Sequence, residues 1–145
     1  MRRHGSMVVV AILLLAADAP SGDEGRLQGT WYIIHVDKPG SHGDREAFDF
    51  ADTKFTMTFD RGKITAMGEG QTLWSGTYKL DPAKTPGAID ITRRSGPFKR
   101  GIYRLDGDTL RLCLDLPASA RPTKFTPGSD SKAEVLVFKR MESRP

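Results

Sequence analysis

The chain contains a single cysteine, Cys113, among 145 residues. An intramolecular disulfide, a zinc ribbon and a CxxC redox pair are therefore all excluded, and stability must come from a packed core. Between Leu112 and Leu114, Cys113 reads as a small strand residue rather than a reactive thiol. Histidine is scarce as well, with only His4, His35 and His42 present. No metal site is expected, because neither an H-x-x-x-H nor a Cys/His spacing occurs; the nearest approach is His35 and His42 with Asp37 and Asp44. A G-x-S-x-G elbow, a Walker loop and a dinucleotide fingerprint are missing, and Gly68-Glu69-Gly70 reads as a hairpin turn with no helix behind it. Ser41, His42 and Asp44 are nearly consecutive in a Gly-rich loop, whereas a catalytic triad needs side chains converging from separate elements. They read as a solvated turn. No catalytic residue and no cofactor is expected, and the chain does not read as an enzyme. The residual enzymatic reading requires ionisable groups converging around His35 and the Asp60 or Asp108 turns.

Charge of one sign is not in excess either. There are 22 basic and 18 acidic residues, a net charge of +4, with 28% charged and 38% hydrophobic residues. This composition excludes a disordered acidic chain and a membrane bundle, and the length suits one domain. Helical periodicity is almost absent, and only Ser41 to Ala51 has room for a helical turn.

The apolar run Met7 to Ala17 (MVVVAILLLAA) follows Arg2 and Arg3 and is followed by small and then acidic residues. It is shorter than the roughly 18 to 20 residues of a membrane-spanning helix and has the tripartite order of a secretory signal. Cleavage is expected after Ala17 or Ala19. Residues 1–19 are thus read as a signal peptide, 20–26 as a flexible linker and 27–141 as the domain. Cleavage after Ala19 removes Arg2, Arg3 and Asp18, leaving 20 basic and 17 acidic residues. The expected location is periplasmic or extracellular, with no transmembrane span after processing and no nucleic acid as partner.

From Trp31 onward, period-two alternation dominates. Lys54 to Asp60 places Phe55, Met57 and Phe59 on one side and Lys54, Thr56, Thr58 and Asp60 on the other. Thr30 to Val36, Lys63 to Met67, Leu73 to Leu80, Ala88 to Thr92, Gly101 to Leu105 and Thr109 to Leu116 read as further strands. Glu134 to Arg140 is apolar on both faces. Fifteen glycines and nine prolines punctuate these runs, and Asp60-Arg61-Gly62 and Asp106-Gly107-Asp108 are hairpin signals. About eight short sequential strands predict an all-β, antiparallel up-and-down barrel, since closure removes exposed edges. A flattened β-sandwich is the alternative.

Leu27-Gln28-Gly29-Thr30-Trp31 opens the first strand with a Gly-x-Trp, the pattern that starts the lipocalin barrel. With GTYKLDPAKTP at 76–86, AIDIT at 88–92, GIYRLDGDTLRLC at 101–113, RPTKF at 121–125 and VLVFKR at 135–140, the chain resembles a family of uncharacterised exported lipocalin-like domains, abundant in planctomycete bacteria. The resemblance spans residues 27–140. It implies a lipocalin-like barrel and an extracytoplasmic location but brings no activity or catalytic residue. It also implies that a basic residue of the last strand, Arg140 or else Lys139, packs over Trp31, with Gly29 and Trp31 as structural residues.

Two binding expectations remain. In the first, a small apolar or amphipathic molecule sits in the barrel among Phe55, Met57, Phe59, Trp74, Tyr78 and Tyr103, the aromatic and apolar residues on the inner faces. In the second, Arg93, Arg94, Lys99 and Arg100 around the turn Ser95-Gly96-Pro97-Phe98 form a basic surface patch for an envelope protein or an anionic polymer. The same charges also suit a soluble hairpin guarded at its strand ends.

Overall fold

The computed structural model describes residues 22–37, 54–115, 120–126 and 132–142. Ser41, His42, Asp44 and the proposed signal peptide lie outside these residues. One short helix, α1 (Gly22–Leu27), precedes eight strands: β1 (Gly29–Asp37), β2 (Thr56–Asp60), β3 (Lys63–Gly68), β4 (Gln71–Asp81), β5 (Gly87–Arg93), β6 (Phe98–Asp106), β7 (Thr109–Asp115) and β8 (Glu134–Arg140). Every strand pairs antiparallel with its sequence neighbours, and β8 returns to β1, so the sheet is a closed up-and-down barrel. Closure into one sheet rules out the sandwich.

The hairpin signals behave as their chemistry requires. Asp60 pairs with Lys63 across Arg61 (φ 46°) and Gly62 (φ 84°), and Gly68 pairs with Gln71 across Glu69 (φ 51°) and Gly70 (φ 80°). Two positive φ angles in a two-residue loop match the right-handed twist of the flanking strands. The β5–β6 hairpin is longer than the sequence predicts: Thr92 pairs with Phe98, so β6 starts three residues before Gly101. Arg93 and Lys99 thereby become strand residues.

Two irregularities set which side chains face inward. Ile33 pairs with Phe138 but His35 with Val137, so Ile34 is the extra residue of a bulge. Strict alternation from Trp31 would turn His35 inward; the bulge brings Val36 to the inner wall instead. A second shift between Ala66 and Met67 pairs Ala66 with Trp74 and Met67 with Thr72, leaving Leu73 exposed and Trp74 inward.

The barrel has two unlike ends. At one, α1 plugs the opening and Leu27 is fully buried. The expectation of a flexible linker over 20–26 is corrected for residues 22–26, which belong to this helix. Its acidic first turn (Asp23, Glu24) and basic last turn (Arg26) suit the helix dipole, but six residues form a helix only because tertiary contacts hold them. Tyr103 donates a hydrogen bond to Asp23 Oδ2 (2.6 Å), Tyr78 donates to Glu24, and Gln28 Nε2 donates to Tyr78 Oη (3.0 Å). Trp31 donates from Nε1 to the Leu27 carbonyl (2.9 Å), and the Arg140 guanidinium stacks on the Trp31 ring at 4.2 Å. The same guanidinium donates to the carbonyls of Gln28 and Arg26, and its Nε lies 3.3 Å from Asp108 Oδ1. Gly29, with φ 115°, lets the chain turn from helix into strand beneath it.

A second, smaller cluster lies outside the barrel wall, where Ile102, Cys113, Ala133 and Val135 are buried with Phe125 and Val137 against them. This explains why β8 is apolar on both faces. Arg121 clamps the covering segment by donating to the carbonyls of Gly101 (2.8 Å) and Ile89 (3.2 Å) and to Asp90 Oδ1 (2.7 Å). No helix among the described residues is long and apolar enough to cross a membrane.

Candidate functional site

Above the plugged end the barrel interior is packed solid. Phe59 and Tyr78 meet edge to face at 5.1 Å, and Trp31, Ile64, Leu110, Leu112 and Phe138 fill the space around them. Eight strands enclose just enough room for side chains or for one small ligand, and this barrel divides that room between the two. In the open half a cavity of about 420 Å³ remains, walled by residues from every strand except β3. Its body is apolar: Ile33 and Val36 from β1, Phe55 and Met57 at β2, Trp74 from β4, Ile91 from β5, Leu114 from β7 and Leu136 from β8.

Three of the six residues expected to line a ligand site do so: Phe55, Met57 and Trp74. The other three do not reach the cavity. Phe59 belongs to the solid half, while Tyr78 and Tyr103 direct their hydroxyls toward α1 at the plugged end. Burial, reinforced by the bond to Glu24, pushes the Tyr78 phenol up to about 12, with Gln28 opposing. Burial and then Asp23 raise Tyr103 further. These are neutral phenols bonded to carboxylates, a structural role. Alternation alone cannot separate the two halves, because both present apolar residues at the same period.

The four basic residues do not form one surface patch. Arg93 and Lys99 turn into the cavity mouth, whereas Arg94 is exposed and Arg100 points outward over the Phe98 ring at 5.5 Å. Arg93 lies over the indole of Trp74 at 4.4 Å, and its Nε is buried with no hydrogen-bond partner among the described residues. Glu134 is the one acidic residue lining this cavity among the described residues. Sequence reasoning missed Glu134, and it missed Asp23, Glu24 and Arg121 as structural anchors. The only signal for the first three was an acidic residue beside an apolar strand or helix position.

The described residues do not bring His35 together with the Asp60 and Asp108 turns. His35 is near the open end, 3.7 Å from Asp37, while the Asp60 and Asp108 turns are at the plugged end. No group of three or more potential metal ligands occurs among the described residues. Cys113 is fully buried in the outer cluster, and burial, with Asp115 nearby, pushes its thiol up to about 11. No family model, no curated protein and no solved structure matches the chain.

Proposed function

We propose that this protein is a non-enzymatic binding module that holds one small, largely apolar molecule in the open half of its barrel. The observation that carries the proposal is the cavity of about 420 Å³ walled by apolar side chains from around the barrel, above a floor that is already closed. A pocket of this size and lining is what small-molecule sites use. Residues 1–19 serve as an export signal in this reading, and membership of the exported lipocalin-like family belongs to the same proposal. A surface-interaction role draws less support, since only Arg94 and Arg100 of the four basic residues face outward.

The test is native mass spectrometry of the protein purified from its own cells, together with calorimetry of the stripped protein against 1-decanol, a neutral single-chain probe. A small molecule lost on denaturation, and saturable decanol binding weakened at least about tenfold in a cavity-filling Leu136→Trp variant, are expected. A bare mass combined with no decanol binding would overturn the proposal.

A further inference from the structure

We infer that the ligand is a single-chain monoanion, a carboxylate amphiphile whose head is held between Arg93 and Lys99 while its tail fills the cup. The inference rests on the binding-module reading and adds the chemical class of the ligand.

The register sets the two cations side by side. Lys99 pairs with Ile91, and Arg93 is two residues further along β5, so their inward side chains are diagonal neighbours, roughly 7–8 Å apart at the backbone. Neither forms an ion pair with a carboxylate among the described residues, although Arg26, Arg121 and Arg140 each do. The Arg93 guanidinium lies over the Trp74 ring at 4.4 Å, a contact that helps to position it before any ligand arrives. Its Nε is buried and lacks an acceptor. A buried donor in that state is stabilised by whatever brings it an acceptor. A guanidinium presents a fork matched to carboxylate geometry, and Lys99 supplies a second, mobile charge.

The rest of the mouth restricts the charge of the head. Glu134 is on β8, two strands beyond Lys99 and on the order of 10 Å round the wall. Among the described residues, the three ionisable groups of the cavity thus leave one net positive charge, concentrated on the β5–β6 side, which favours a monoanion over a dianion. Below the head, the described residues that line the cup are apolar. A cup of about 420 Å³ suits one alkyl chain of moderate length.

The deciding experiment measures decanoate, 1-decanol and decylammonium binding to the full-length chain by calorimetry at pH 7.5. Decanoate should bind at least about tenfold more tightly than decanol, and decylammonium more weakly than either. Arg93→Gln and Lys99→Gln should each lower the decanoate-to-decanol ratio at least threefold, and Glu134→Gln should raise decanoate affinity. A wild-type ratio below two, a ratio unchanged in both cation variants, or a preference for decylammonium overturns the inference while the apolar cup stands. Failure of all three probes to bind overturns the cup itself.

Discussion

Replacing Arg140 with Gln removes the side chain that ties the last strand to the plugged end. Its guanidinium stacks on the fully buried Trp31 at 4.2 Å and donates to the Gln28 and Arg26 carbonyls. A partly desolvated cation–π contact is worth about 1 kcal/mol, and each hydrogen bond from a charged donor about 1–1.5 kcal/mol at a site open to some water. The Asp108 carboxylate is 79% exposed, so that ion pair adds little. The loss comes to about 3 kcal/mol, a large part of the stability of a domain this size, or roughly 10–15 °C in Tm. Urea denaturation followed by tryptophan fluorescence reads it directly. Asp108→Ala is the control and should cost under about 1 kcal/mol, and decanoate binding should be unchanged in both variants because the cup is at the opposite end. An Arg140→Gln protein within 0.5 kcal/mol of wild type, or an Asp108→Ala protein equally damaged, would refute the reasoning.

Three further outcomes are expected. The Cys113 thiol, buried and raised to about 11, should react with iodoacetamide at pH 8 at least about 100-fold more slowly in the native protein than in urea; comparable rates would mean that the outer cluster is open. Tyr78 ionises near 10 when unfolded and near 12 when folded, so the unfolded chain releases this proton first. Its contribution to stability is therefore complete below pH 10 and declines between pH 10 and 12; urea midpoints across that range should fall more steeply for wild type than for Tyr78→Phe. Arg121→Ala should release the covering segment at 120–126 from β5 and β6 and speed limited proteolysis there several-fold, while the barrel's circular dichroism stays unchanged.

Period and turn chemistry carried the fold. Phe55, Met57 and Phe59 alternate with polar residues, Arg61-Gly62 and Glu69-Gly70 take the positive φ angles of tight hairpins, and Val135 and Val137 on one face with Leu136 and Phe138 on the other declare a strand covered on both sides. These are local properties, dictated by side chains two apart and by glycine's freedom of φ, and the sequence by itself determined them. The site was legible only in part. Phe55, Met57 and Trp74 line the cup, but Phe59, Tyr78 and Tyr103 share their alternation and lie elsewhere, because period two specifies the face of a strand and not the depth along the barrel. Depth was decided by α1, a six-residue helix without enough intrinsic stability to announce itself, which fills one end and, among the described residues, leaves the other with a cavity. Tertiary structure also decided that Arg93 and Lys99 face inward, through a hairpin extended by strand pairing at Thr92 and Phe98, and that Val36 rather than His35 meets the cavity, through one extra residue in β1. The bulge and the placement of α1 depend on partners far away in the chain, β8 for the first and Tyr78 and Tyr103 for the second, which no window of local sequence contains, whereas the Thr92–Phe98 pairing is local to one hairpin but not signalled by its alternation.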